Sequence, residues 1–231
     1  MSEQNGNDKQ RVAIYAADLV QDGMVVGLGT GSTANYFIEQ LAQKQQQGLN
    51  FTTVASSVVS TIKSQQMGLN QIAIEQVTTL DIYVDGADEV TADLTLLKGR
   101  GSDLVREKIL AKASKQFYVL VDNSKLVSRI GENYPIPIEV MPFAWQVVQK
   151  SLQQIGGKGE LRSNAGGDDL VVTSHGSLVL DMVFADIDHA SLNTLLDGIP
   201  GVVEHGIFYQ LASEVLIANN GQVEQRRSIP T

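Results

Sequence analysis

The sequence predicts an α/β protein: a mostly parallel sheet with helices on both faces, followed by a smaller α+β unit. Three observations carry this. Short apolar runs at Met24–Leu28, Phe51–Ala55, Ile82–Val84 and Phe117–Val121 alternate with stretches of helical periodicity, the pattern of a parallel sheet covered on both sides. Several of these runs break off into polar loops rich in Gly, Asp or Lys, as strand ends do where a ligand is held. Beyond Lys125 the character changes to a proline-punctuated connection and then helix, hairpin and helix.

Residues 1–7 read as a loose polar tail. From Asp8, the apolar positions Val12, Tyr15, Ala16, Leu19 and Val20 fall on one helix face, and Asp22-Gly23 ends it. Met24–Leu28 is a buried strand running straight into Gly29-Thr30-Gly31-Ser32-Thr33, after which Ala34, Phe37, Ile38 and Leu41 mark a second helix. A strand at Phe51–Ala55, a helix at Val58–Met67 and a strand at Ile72–Ile74 follow. Ile82–Val84 ends at Asp85-Gly86-Ala87-Asp88-Glu89, and Leu94–Leu97 reads as another strand ending at Lys98-Gly99-Arg100-Gly101, with Ser102 opening a helix that contains Glu107. Phe117–Val121 ends in Asp122-Asn123-Ser124-Lys125. Tyr134–Pro142 is an extended connection, Phe143–Ile155 a helix, and Leu170–Thr173 with Leu178–Phe184 a hairpin around Ser174–Ser177. Asp188 or Ser191 caps a last helix through Leu196. Ile207–Leu211 and Val215–Ala218 return to the first sheet, dividing the chain into 1–129 with 207–231 and an inserted 130–206.

Composition excludes several classes. Seventeen Lys and Arg against 26 Asp and Glu leave a net charge of −9, which argues against nucleic acid as partner but leaves room for a small phosphate ester. With no cysteine, neither a disulfide nor a thiolate nucleophile is available. His175, His189 and His205 lack metal-ligand spacing, so no metal is expected. The polar opening MSEQNGNDKQR signals no secretion, and no run reaches the ~20 apolar residues of a membrane span. The expectation is a cytoplasmic protein without membrane contact.

The Gly29–Thr33 loop is built to approach an anion: glycines admit the backbone, and amides and hydroxyls at a helix start point outward. Gly27, Gly29 and Gly31 give GxGxG with serine at position 32, which does not satisfy the dinucleotide fingerprint. A monophosphate cradle is favoured over a structural turn or a dinucleotide site. Asp85 and Asp88 suit a tight turn as readily as catalysis, and Lys98 could be a lysine reaching to solvent. Glu107 is more informative. Its helical neighbours are Asp103, Leu104, Leu110 and Ala111, a like charge and apolar groups with no cation, which suits a proton-transfer base.

Taken together, GTGST (29–33), YVDGADE (83–89), KGxG with REKI (98–109), the lysine of DNSK (122–125), YPIPIEV (134–140) and IPGVV (199–203) resemble the ribose 5-phosphate isomerase A family, in order along nearly the whole chain. The resemblance implies a Rossmann-like α/β domain with a smaller α+β domain, a homodimer, and cofactor-free interconversion of D-ribose 5-phosphate and D-ribulose 5-phosphate through an enediolate. It implies Thr30, Gly31, Ser32 and Thr33 at the phosphate, with Lys125 and, more lightly, Lys9. It places Asp85, Gly86, Ala87 and Asp88 around the sugar hydroxyls, Lys98, Gly99, Arg100 and Gly101 beside the reacting carbons, and Glu107 as base. Arg100 departs from the family's usual glycine run, and Ser174-His175 from its usual Asp-Asn. A sugar-phosphate-sensing module would want a basic DNA-binding segment, and a deaminase or lactonase a histidine between residues 81 and 125. Neither is present.

Overall fold

The computed structural model describes residues 2–101, 103–185, 187–219 and 221–227. They form two compact units, one of Met1–Ala87, Arg106–Leu126 and Gln210–Thr231, the other of Asp88–Val105 and Val127–Tyr209. No described helix is long and apolar enough to cross a membrane.

The first unit is built on a six-stranded sheet. In spatial order its strands are Gln222–Arg227, Glu214–Asn219, Ser114–Asp122, Leu80–Gly86, Val25–Leu28 and Thr52–Ala55. All pairings are parallel except the terminal hairpin of Glu214–Asn219 with Gln222–Arg227. The inner strands are buried on both faces, which is why they read as unbroken apolar runs rather than alternating ones. On one face Val26, Leu28, Ile82, Val84, Leu120 and Leu216 pack against helices Ser2–Asp18 and Ser32–Gln46 through Val12, Ala16, Phe37, Ile38 and Leu41. Residues of the opposite parity, Tyr83, Phe117, Val119, Val215 and Ile217, are equally buried. The first helix starts at Ser2 and so takes in residues expected to be a tail.

Chain order sets where the winding of the sheet reverses. From Val25–Leu28 the chain crosses to Thr52–Ala55 on one side and then returns to Leu80–Gly86 on the other. The carboxyl ends of Val25–Leu28 and Leu80–Gly86 therefore flank the point where winding reverses, where open α/β sheets bind ligands.

The second unit holds a four-stranded antiparallel sheet, Val202–His205, Ile136–Val140, Leu178–Val183 and Lys158–Leu161 in spatial order, and a three-stranded one of Ile207–Phe208, Leu96–Leu97 and Glu89–Val90. Its core gathers Ile136, Ile138, Val140, Leu180 and Met182 with Val148, Leu152, Leu192 and Leu196 of the helices Trp145–Gln154 and His189–Asp197. Asp188 caps the latter through the amides of Ala190 and Ser191.

Several sequence expectations are corrected here. Leu94–Leu97 is not a strand of the parallel sheet. Asp93 accepts from the hydroxyls of Thr91 and Thr95, which closes a turn, puts Leu94 at φ 63°, and leaves Leu96–Leu97 as one arm of a hairpin with Glu89–Val90. Ile72–Ile74 gives way to a 3-10 turn at Ile74–Gln76. The Tyr134–Pro142 connection contains an inner strand, Ile136–Val140. Its Pro137 is accommodated because it need only accept, from the Gly206 amide at 2.8 Å, while the Gly206 carbonyl takes the Lys98 amide instead. Leu170–Thr173 contributes only isolated bridges, and Leu178–Val183 pairs instead with Lys158–Leu161. Ile207–Phe208 joins Leu96–Leu97 rather than the six-stranded sheet. Ser102, expected to open the helix Leu104–Ala113, lies outside the described residues.

Candidate active site

At the reversal point of the first unit, Asp85 is the organising group. It is fully buried at the end of Leu80–Gly86. Its Oδ1 accepts the amides of Thr30 at 3.0 Å and Gly86 at 2.7 Å, and its Oδ2 accepts the Tyr83 phenol at 2.5 Å. Charge-assisted bonds of this kind are roughly twice as strong as neutral ones, so three donors hold the carboxylate in one orientation. Gly29 is glycine for a steric reason: a Cβ there would stand 2.2 Å from Asp85 Oδ1.

The Gly29–Thr33 loop divides its labour. Thr30 turns inward, its hydroxyl 2.7 Å from Ser57 Oγ, 3.1 Å from Ser56 Oγ and 3.2 Å from Ser60 Oγ, while Ser60 Oγ donates to the Gly29 carbonyl at 2.6 Å. Gly31, at φ 106°, is the N-cap of helix Ser32–Gln46 and supplies no side-chain cap. The amides of the first helical turn are thus left to an incoming acceptor. Ser32 is exposed and accepts from Lys9 Nζ at 3.0 Å, which brings a cation to the loop. The serines of Ala55-Ser56-Ser57 and Ser60 do not stand out in the sequence, although they too lie at the carboxyl end of a strand, Thr52–Ala55.

Tyr83 ties Glu107 to this arrangement. The ring is fully buried and stacks on Phe117 at 4.8 Å between centroids. Burial pushes its phenol well above the usual tyrosine range, and the negative charges of Asp85 and Glu107 add to the shift. The phenol is therefore a permanent donor with both carboxylates in electrostatic reach. Glu107, 6% exposed, sits in the first turn of helix Leu104–Ala113, where the helix dipole favours negative charge. Lys125 ends the 3-10 turn Asn123–Lys125 beyond strand Ser114–Asp122 and is half-buried. Asp122 caps that turn through the Ser124 amide.

The second unit carries the other expected residues. Asp88 donates its amide to the Leu97 carbonyl at 2.8 Å, joining the two ends of the hairpin that separates it from Lys98. Lys98 is only 4% exposed. Its amide donates to the Gly206 carbonyl at 2.9 Å, and its ammonium stands 5.6 Å from the centroid of Phe208. Gly99, at φ 98°, faces Leu104, which a Cβ would meet at 2.8 Å. Arg100 lays its guanidinium over the Tyr134 ring at 4.1 Å and comes within 3.9 Å of Asp88 Oδ1. Gly101 is exposed. Beneath them Glu89 is fully buried and accepts the amides of Gly131 and Asn133 at 2.6 Å and Tyr134 at 3.0 Å.

Among the described residues one trio, Asp197, Glu204 and His205, has metal-ligand proximity. His205 Nδ1 accepts the Ile207 amide at 3.3 Å, which leaves the ring proton on Nε2, 3.1 Å from Asp197 Oδ1. This is a hydrogen-bonded core histidine rather than a prepared ligand.

A doubly wound sheet with a glycine-containing strand-to-helix loop and a buried carboxylate at its reversal point places the first unit in the α/β class whose members hold ligands at that point. Residues 52–222 match the family described as ribose 5-phosphate isomerase A (phosphoriboisomerase A). A ribose-5-phosphate isomerase A from Thermosynechococcus vestitus is 43% identical, with 94% of each chain covered. The solved ribose 5-phosphate isomerase A of Methanocaldococcus jannaschii superposes with a TM-score of 0.91 at 36% identity, covering 96% of this chain and 99% of that one. A D-ribose-5-phosphate isomerase solved in complex with phospho-erythronic acid gives 0.91 at 37%, covering 95% and 97%. The chain belongs to the ribose 5-phosphate isomerase A family.

Proposed function

We propose that the aldose–ketose isomerisation of this family, D-ribose 5-phosphate to D-ribulose 5-phosphate and back, is performed in this chain with Glu107 as the proton carrier. The reaction removes a proton from carbon 2 and returns one to carbon 1 through a cis-enediolate, which a single carboxylate on one face can accomplish. The observation that carries the reading is the hydrogen-bonded group of Tyr83, Asp85 and Thr30, its first two members fully buried, with Glu107 in electrostatic reach of the same phenol.

The remaining roles follow from chemistry and resemblance. The helix start at Ser32 and Thr33, with Lys9 and Lys125, takes the phosphate and positions the sugar away from the bond-making atoms. Asp85 serves ring opening and proton exchange between the sugar oxygens, and Asp88 orients the hydroxyls. Lys98 offsets the oxyanion that builds as the proton leaves, and stabilising that charge commonly contributes more to the rate than any other single effect in such sites. A related isomerase was solved with phospho-erythronic acid, a phosphorylated sugar acid, and the same ligand class is our reading here. We also read the working unit as a homodimer acting in the cytoplasm, the former open to sedimentation analysis.

The test is direct. Purified protein mixed with ribose 5-phosphate in metal-free buffer containing a chelator is expected to form ketose until equilibrium is reached. No ketose under these conditions, from folded protein, would refute the assignment.

A further inference from the structure

The Lys98–Gly101 loop is gripped from outside by a residue that none of the site motifs includes. Arg162, just past strand Lys158–Leu161, donates Nη1 to the carbonyls of Gly99 at 3.0 Å and Arg100 at 3.2 Å. Its other two nitrogens are committed to Asp181, Nε to Oδ2 at 2.8 Å and Nη2 to Oδ1 at 2.6 Å. The side chains are 13% and 26% exposed. The backbone under Arg162 is fixed as well, its amide donating to Val179 and its carbonyl accepting from Val171. Asp181 belongs to the inner strand Leu178–Val183. A planar guanidinium with one edge, Nε and Nη2, held bidentately by a carboxylate has no freedom to turn, so its remaining nitrogen meets the two carbonyls at a fixed place.

Lys98 thus lies between two anchors: its own amide on Gly206 and the carbonyls of the next two residues on Arg162. The same grip explains how Arg100 is tolerated where glycine is usual. Its carbonyl is pinned by Arg162, and its side chain is drawn off over Tyr134.

We propose that Arg162, locked by Asp181, is a positioning residue that sets the Lys98 ammonium for charge stabilisation during isomerisation. This rests on the role given to Lys98 above. Removing the grip leaves Lys98 in place chemically but loosens its backbone, and a displacement of about 1 Å at a catalytic group can cost on the order of 100-fold in rate. The loss belongs to kcat, because an oxyanion contact is made in the transition state and not in substrate binding.

The experiment is a kinetic cycle on the full chain with ribose 5-phosphate. Arg162→Gln is expected to lower kcat by about 10-fold or more with KM changed less than about threefold. Asp181→Asn, which keeps the shape but loosens the guanidinium, is expected to lose part of the same factor and serves if Arg162→Gln does not fold. Arg162→Lys is not expected to restore kcat, since one ammonium cannot serve the carboxylate and both carbonyls. In a Lys98→Ala background, adding Arg162→Gln is expected to cost less than about twofold, because the two act through one group. A slow Lys98→Ala with normal kcat in both Arg162→Gln and Asp181→Asn overturns the grip alone. The full loss persisting in the Lys98→Ala background overturns it too, as a merely structural effect. Normal turnover by Lys98→Ala overturns both the grip and the role of Lys98.

Discussion

Replacing Tyr83 by phenylalanine removes one oxygen and leaves the stack on Phe117 in place. Asp85 then keeps the amides of Thr30 and Gly86 but loses the phenol that donates to Oδ2 at 2.5 Å. A hydrogen bond to a buried charged group is worth about 1.5–3 kcal/mol, so stability should fall by that amount in denaturant titration. If the misplaced carboxylate reaches the transition state in full, kcat falls by roughly 10- to 150-fold at about 1.4 kcal/mol per decade. The pH dependence carries an independent signature. Because burial and then the charges of Asp85 and Glu107 raise the folded-state phenol above the ordinary tyrosine range, the folded protein keeps this proton where the unfolded chain gives it up. That contribution is fully present below about pH 10 and is lost as pH rises above it. Stability measured from about pH 8 to 11 should therefore fall less steeply in Tyr83→Phe than in the parent. Unchanged stability at neutral pH together with parallel alkaline limbs would show that the phenol neither holds Asp85 nor keeps its proton through burial.

Further outcomes follow from the same contacts. Gly29→Ala should abolish turnover and destabilise strongly, since its Cβ would lie 2.2 Å from Asp85 Oδ1 and 2.6 Å from Asp85 Cα; Gly31→Ala, with nothing within 4 Å, should cost only the strain of holding a side chain at φ 106°, ψ −179°, a region essentially confined to glycine and worth roughly 1–3 kcal/mol, and thermal melts of the pair would distinguish clash from strain. Glu89→Gln turns a buried acceptor of three amides into a partial donor facing them, a loss of about 3 kcal/mol or more by denaturant titration. Asp93 resists burial, which pushes its carboxyl up, through hydrogen bonds from Thr91 and His189 that bring it down to about 2. Its contribution is present above the ordinary aspartate range and is lost as pH falls through about 2, so Asp93→Asn should flatten the acid limb of stability between about pH 4 and 2.

The parts of this fold legible in the sequence are those where local chemistry and tertiary role coincide. Val25–Leu28 running into Gly29–Thr33 and then a helix can be read because the apolar strand, the glycine loop and the helical stripe follow one another without a break and all agree on strand, turn and helix. Leu94–Leu97 misleads because an apolar run looks alike in a parallel strand and a short hairpin arm; the deciding contacts, Asp93 with Thr91 and Thr95, lie in a turn whose sequence shows only polar spacing. Lys158–Leu161 and Gln222–Arg227 escape because both are edge strands with charged, half-solvated residues, the composition that keeps an edge from pairing with another chain. In the sequence Tyr83 is simply one of an apolar run, although its phenol donates to Asp85 and feels the charges of both Asp85 and Glu107. Arg162 has no signal at all, since its targets are backbone carbonyls 62 and 63 residues away.

In the proposed reaction one carboxylate carries the proton between carbons 1 and 2. Glu107→Gln preserves the side chain's size and removes its basicity, so the measurement is turnover of ribose 5-phosphate by this variant alongside its affinity for a phosphorylated sugar acid. For a carboxylate that carries the proton, kcat falls by about 100-fold or more with affinity kept within several fold. Turnover near that of the parent, at unchanged affinity, would contradict it.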